Sequence, residues 1–262
     1  MSMNINNGYN NYSNIFASFV APIKRSPVFC ASTTNPIAPN GDFLTTSSEL
    51  SPYLSTEAIK ELMLINPKVS KILRENGLPE KININELQKL ANGHLKTTKS
   101  IAAAIIHNLS AEEKDGLNQK AIYEAATFHD FGKVLIPEKI LNKKGGFNEK
   151  ERAIMELHSE LGYELLKTQN ISQRGLELIK YHHQTPDNNG YPENKGNFEY
   201  NLETEILILA DKYSALTENR PYKKSISAQE ALRVIEKEHP QSLALNALKA
   251  FVQKVEPISS SA

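Results

Sequence analysis

Cysteine is nearly missing from this chain. Cys30 stands alone, so no disulfide can form within it, and a reducing, cytoplasmic location is expected. Net charge is missing too: 30 Lys and Arg balance 30 Asp and Glu. No global field therefore draws the protein to a nucleic-acid polymer or an anionic lipid surface, and an anionic ligand must be held by local charge. No apolar run approaches the ~20 residues of a membrane span. The apolar patch at residues 15–21 follows no basic stretch, so a secretory signal is not expected. Period-two alternation, the mark of half-buried strands, is lacking as well. What remains is a 262-residue chain, 40% hydrophobic, with enough apolar side chains for a helical core.

Residues 1–54 read as a disordered polar tail. Asn, Ser, Thr and Pro dominate, and only Lys24, Arg25, Asp42 and Glu49 are charged. Such a stretch buries too little apolar surface to offset its ordering entropy. Phe16, Phe19 and Val20 within it would suit a docking peptide. From Ser55 the pattern turns helical. Residues 55–80 read as accessory helices: Ser55 caps the first, and Gly77-Leu78-Pro79 ends the second. Residues 81–255 read as the main domain, with helices expected at 85–107, 117–131, 148–167, 172–183, 202–218, 227–238 and 242–255. Asn148 with Glu151, and Ser227 with Glu230, have capping-box spacing. The fold class expected is all-α.

Five of the seven histidines fall in one series with two aspartates: His94, His129-Asp130, His158, His182-His183 and Asp211. Each member taken singly has an ordinary explanation as a packed core histidine or a surface pair. Yet His94 lies between Leu90, Ala91 and Ile101, and His158 follows Ile154 and precedes Leu161. Asp211 follows Leu207 and Ile208 on an apolar stripe. A buried carboxylate without a partner costs several kcal/mol. Several helices each placing an ionisable group on an apolar face are explained together by a dinuclear metal centre inside a bundle. Neighbouring residues point about 100° apart on a helix, so His182 and His183 reach one ion only where the helix ends. Pro186 makes an ending there natural. The loop Asp187-Asn188-Asn189-Gly190-Tyr191-Pro192 has the composition of a rigid turn.

These strings resemble the HD-GYP domain, a subgroup of the HD superfamily of metal-dependent phosphohydrolases. The likeness covers residues 86–231. It is carried by His129-Asp130-Phe131-Gly132-Lys133, Ile136-Pro137, Ile140-Leu141, His158, His182-His183 and residues 187–192. Leu209-Ala210-Asp211, Ala215-Leu216-Thr217 and Arg220-Pro221-Tyr222-Lys223 complete it. The resemblance implies an HD-domain helical bundle. The activity it implies is hydrolysis of cyclic di-GMP to linear pGpG or GMP by a hydroxide that two metals activate. By the same likeness His94, His129, Asp130 and Asp211 hold one divalent transition metal. Asp130 bridges to a second, completed by His158, His182 and His183. Iron or manganese is expected, with zinc, nickel and cobalt open, since the donors are imidazole and carboxylate without thiolate. Lys133 and Asp130 are assigned to catalysis, and Arg220, Lys223, Tyr191 and Asp187 to substrate. Another cyclic dinucleotide or nucleotide, or a metal-bound nucleotide sensor with little catalysis, are the alternative readings. A protein partner through the tail or the residue 187–192 loop, and a homodimer, are left open.

The chain departs from the family pattern in its outer residues. Gln184 stands where glutamate is common after the histidine pair, and Pro186-Asp187-Asn188 replaces an aromatic-Asp-Gly run. Leu90 occupies the position of a third-metal glutamate, so two metals are expected. Ser214 replaces a substrate-contacting aspartate, and residues 193–197 match no family string.

Overall fold

The computed structural model describes residues 55–92, 94–196, 198–218 and 224–255; for residues 91, 92 and 94–96 only the backbone is described. The tail expected at residues 1–54 lies outside these, as do Arg220 and Lys223. Among the described residues the fold is all-α, as expected, with one isolated antiparallel bridge between His183 and Tyr191. No described helix is long and apolar enough to cross a membrane.

The helices are α1 (Thr56–Ile65), α2 (Pro67–Glu75), α3 (Ile84–Asn92), α4 (His94–Asn108), α5 (Ala111–Lys114) and α6 (Gln119–Phe128). A 3-10 turn (Phe131–Leu135) and α7 (Glu138–Leu141) follow. Then come α8 (Glu149–Leu166), α9 (Gln173–Tyr181), α10 (Leu202–Thr217), α11 (Ala228–Glu238) and α12 (Leu243–Val255). Their starts follow the polar caps. Ser55, Asn118, Ser172 and Ser227 each accept the backbone N–H three residues on. Asn148 and Glu151 form the full reciprocal box. The same chemistry at Ser110 and Glu113 starts α5, a one-turn helix too short to show in hydrophobic periodicity. The stretch expected as one helix over residues 85–107 is helical on both sides of residue 93, which lies outside the described residues, as α3 and α4.

Helix α6 is central. Its Ala121, Ala125 and Ala126 are fully buried, and such small side chains let α4, α9 and α10 approach closely. Helices α11 and α12 cover α10, and α12 also lies on α4. Helix α8 packs against α9 and against the 3-10 turn. That last contact is backbone on backbone. A Cβ placed on Gly132 would stand 2.0 Å from the His158 carbonyl oxygen and 2.5 Å from the Gly162 nitrogen. Gly132 does not have positive φ, so close approach, not backbone conformation, demands glycine there.

Helices α1 and α2 dock on the far side of α8 through Glu164, whose side chain is 1% exposed. The Asn66 Nδ2 group donates to the Glu164 carboxylate and carbonyl, both at 2.7 Å, while Lys68 and Lys167 reach the carboxylate at 2.7 and 2.6 Å. Burial opposes the charge on Glu164, but bonds from Lys167, Lys68 and Asn66 outweigh it and hold its pKa below the usual 4.5. Both lysines are partly exposed and can return to water, so Glu164→Ala should cost about 2 kcal/mol, mainly the orphaned Asn66 amide. Because the folded-state pKa is depressed, this stability is full above the unfolded value and is lost as pH falls through the folded one. Denaturant melts at falling pH should show a shallower acid loss in Glu164→Ala than in wild type. Equal stability of the two at pH 7 would contradict the docking role.

Candidate metal centre

Three helix ends and two helix middles build the centre. His129 caps the C-terminus of α6, and Asp130 begins the 3-10 turn. His158 sits in mid-α8, facing that turn, and His182 caps the C-terminus of α9 with His183 just beyond. Asp211 comes from α10. His129, Asp130, His158 and His182 are all buried.

Helical side chains lean toward the N-terminus, so an imidazole can reach the carbonyl three residues back. Three of them do. The Nδ1 atoms of His129, His158 and His182 lie 3.2, 2.7 and 2.7 Å from the carbonyl oxygens of Ala126, Met155 and Ile179. A carbonyl only accepts, so each Nδ1 carries the proton and each Nε2 presents a lone pair to the centre. Ala126 and Ile179 lie in last helical turns, where carbonyls lack intrahelical partners, which makes the pairing natural.

The lone pairs converge. The Nε2 atoms of His158 and His182 stand 3.2 Å apart, and nitrogens of His158, His182 and His183 all lie within 4.8 Å of one another. Asp130 divides this trio from a second group. Its Oδ1 is 3.6 Å from His158 Nε2, and its Oδ2 is 3.6 Å from His129 Nε2. His129 Nε2 is also 3.4 Å from Asp211 Oδ1. Burial opposes the charge on Asp130, but Lys133, whose Nζ is 2.6 Å away, and then His129 hold its carboxyl well below the usual range. Burial alone would lower the Lys133 pKa, yet Asp130 and Asp211 raise it. Burial, helped by Lys133, lowers His158 to about 3, and burial with His183 lowers His182. Neutral imidazoles with protonated Nδ1 atoms thus face each other lone pair to lone pair. A cation between them would resolve that contact. The donors are nitrogen and oxygen without thiolate, a set that fits divalent iron or manganese, and also zinc, nickel or cobalt.

The His94 side chain lies outside the described residues. Its backbone stands one turn before Thr98, whose Oγ1 is 3.0 Å from Ser214 Oγ on α10, three residues past Asp211. Ser214 is fully buried between helices, so in this chain it ties α4 to α10 instead of facing solvent. Leu90 is buried and brings no donor. Tyr191 stacks on His183, with ring centroids 4.5 Å apart. Asp187 is exposed, and its carboxylate accepts from Asn189 Nδ2 at 2.6 Å within its own turn. Sequence reasoning missed the three carbonyls that orient the imidazoles, which carry no residue-type signal. It also missed the Gly132–α8 contact, which a glycine three residues past the histidine hints at only faintly.

A family model described as HD domain matches residues 80–243. A cyclic di-GMP phosphodiesterase of Thermotoga maritima is 33% identical over 146 residues, covering 54% of this chain and 40% of its own length. The cyclic di-GMP phosphodiesterase response regulator RpfG of Xanthomonas campestris is 34% identical over 140 residues, 53% and 36% of the two chains. The 3′3′-cGAMP-specific phosphodiesterase 1 of Vibrio cholerae is 35% identical over 126 residues, 47% and 29%. Among solved structures, the HD domain of the L. monocytogenes phosphodiesterase PgpH in complex with cyclic-di-AMP is 18% identical. It has a TM-score of 0.46 and covers 62% of this chain and 89% of that one. This chain thus spans well under half the length of these curated relatives. The family match takes in both halves of the centre, from α3 to α11, and the chain belongs to the HD domain family.

Proposed function

We propose that the chain is a metal-dependent phosphodiesterase that hydrolyses cyclic di-GMP to pGpG or GMP, using two divalent ions, iron or manganese. The carrying observation is Asp130, whose two oxygens face two separate imidazole groups 3.6 Å away on either side. That is how one carboxylate would bridge two ions. In this reading His94, His129, Asp130 and Asp211 hold one ion, and Asp130, His158, His182 and His183 the other. Bound divalent ions supply water that ionises near neutral pH and polarise phosphoryl oxygens.

The side chains do the rest. The carbonyl-bound imidazoles cannot turn away from the centre, so the donors are in place before any ion or substrate arrives. Lys133 has three N–H donors and gives one to Asp130, leaving two for the phosphoryl oxygens as negative charge grows during in-line attack. The water oxygen bonds to phosphorus as the bond to the ribose 3′ oxygen breaks, that oxygen leaves as a hydroxyl with a proton from solvent, and a linear dinucleotide results. Arg220 and Lys223, outside the described residues, are assigned to grip the second phosphate, which suits a planar guanidinium. Asp187, exposed at the loop, is assigned to the substrate's outer edge. The likeness to enzymes named for cyclic di-GMP and for 3′3′-cGAMP supports a cyclic dinucleotide and favours the second as the alternative substrate.

The test is turnover by protein purified without oxygen and loaded with iron or manganese, against cyclic di-GMP, 3′3′-cGAMP and a linear phosphodiester. Cyclic di-GMP should be cut fastest. Preference for 3′3′-cGAMP would move the substrate and keep the chemistry. Tight binding with no turnover of any of the three would overturn the enzyme in favour of a nucleotide sensor.

A further inference from the structure

Three of the four described imidazoles at the centre are oriented by a backbone carbonyl. His183 is the exception: among the described residues no hydrogen bond to its ring is found. The reason is its position. Helix α9 ends at Tyr181 and His182 is the cap, so His183 has left the helical path that brings an imidazole onto the carbonyl three residues back. Its ring is held by faces instead. His182 lies 4.0 Å away at 44°, and Tyr191 stacks at 4.5 Å and 27°. Tyr191 also turns an edge-on face to His158 at 6.2 Å.

Tyr191 can hold a ring only if it is itself held, and three contacts do so. Its backbone N–H donates to the His183 carbonyl at 3.3 Å, closing the isolated bridge. Gly190 lies so close beneath that a Cβ there would stand 2.1 Å from the His183 carbonyl oxygen and 2.5 Å from Gln184 Cα. Gln184, only 2% exposed, donates its Nε2 to the Pro192 carbonyl and ties the far end of the loop to the residue after His183. That bond needs an amide. An ionised glutamate at this position has no proton to give a carbonyl, so this chain's glutamine, where the family pattern commonly has an acid, is part of the latch.

We propose that Tyr191 is a positioning residue that fixes the His183 ring toward the metal centre, latched in place by Gln184 and Gly190. The inference rests on the metal reading above, and it gives Tyr191 a role in holding a ligand instead of contacting substrate. Tyr191→Phe keeps the stacking face and removes the hydroxyl; Tyr191→Leu removes the face; Gln184→Leu removes the latch donor at similar volume. Full-length wild type and the three variants would be titrated with Mn²⁺ after chelation, alongside kinetics. Tyr191→Leu and Gln184→Leu should weaken one of two Mn²⁺ sites by roughly 10–100-fold, the usual cost of losing a group that orients a ligand. In both, kcat should fall with KM little changed, and Tyr191→Phe should match wild type. Gln184→Leu leaves the ring present and keeps the test decisive if Tyr191→Leu fails to fold.

Wild-type Mn²⁺ affinity in Tyr191→Leu, or a KM raised equally in the Phe and Leu variants, would overturn the proposal. A separate readout needs no metal. The stacked tyrosine should shift the His183 ring protons upfield in the NMR spectrum of chelated protein, and the shift should vanish in Tyr191→Leu and persist in Tyr191→Phe. Wild-type protein that takes up no Mn²⁺ while this shift pattern holds would refute the metal reading and leave the Tyr191–His183 hold standing. An unchanged spectrum in Tyr191→Leu would refute the hold itself.

Discussion

Asp130→Asn should abolish measurable turnover and strip the protein of tightly bound metal. The exchange keeps shape and volume, so the effect isolates charge. In the folded protein one Asp130 oxygen faces His129 and Lys133 and the other faces His158, so this carboxylate is shared by both imidazole groups. A neutral amide offers a weaker oxygen on one side and turns an NH₂ toward a lone pair or an ammonium on the other. Metal affinity should fall well beyond the roughly 10–100-fold that follows loss of an orienting partner. Lys133, part-buried and deprived of its counter-charge, should also titrate lower, since Asp130 is the leading influence raising its pKa against burial. Calorimetric Mn²⁺ titration and turnover on the same preparation check this. Two retained ions and a rate within a few-fold of wild type would show that Asp130 bridges nothing.

Gly132→Ala should be severely damaging for a change of one methyl group. The added carbon would meet backbone, not a movable side chain, at 2.0 and 2.5 Å on α8. No rotamer relieves that, so the 3-10 turn must lift off the helix at a cost at or above about 3 kcal/mol, the upper end for overpacking. Lifting the turn also draws Asp130 and Lys133 away from His158, so metal uptake and stability should fall together. Gly162→Ala is the control on the same contact from the other side. Its Cβ would meet the Gly132 nitrogen at 3.2 Å and Ile179 at 3.6 Å, a displacement of tenths of an ångström. Denaturant unfolding of the two variants should therefore differ by several-fold in cost. Comparable losses, or a stable Gly132→Ala with full metal uptake, would contradict the backbone contact.

Much of this was legible in the sequence wherever the signal is local. Ser55, Asn148, Ser172 and Ser227 announce helix starts because a side-chain oxygen three residues before an unpaired N–H is a short-range event. His158 and Asp211 were readable as inward-facing from their apolar neighbours, and His129-Asp130 and His182-His183 from their places at helix ends. The structure brings His129, Asp130, His158, His182, His183 and Asp211 together. What stayed hidden depends on contacts between segments far apart in the chain. Nothing near Gly132 says that α8 will press against it, and nothing near Ser214 says that its hydroxyl will meet Thr98 between two helices. The division of labour around His183 was equally illegible, because it follows from where α9 stops and how residues 184–192 fold back. The bond that the exposed Asp187 carboxylate accepts from Asn189 within its own turn was not signalled by its place in the motif either.

Imidazole lone pairs converge at this centre in a way that a bound cation would satisfy. The most direct measurement is Mn²⁺ binding to chelated, full-length protein, with wild type compared against His158→Ala. The expected result is two ions per wild-type chain and loss of one in His158→Ala, with the helical circular dichroism unchanged. Folded wild-type protein that binds no divalent ion, or binding that His158→Ala leaves untouched, would contradict it.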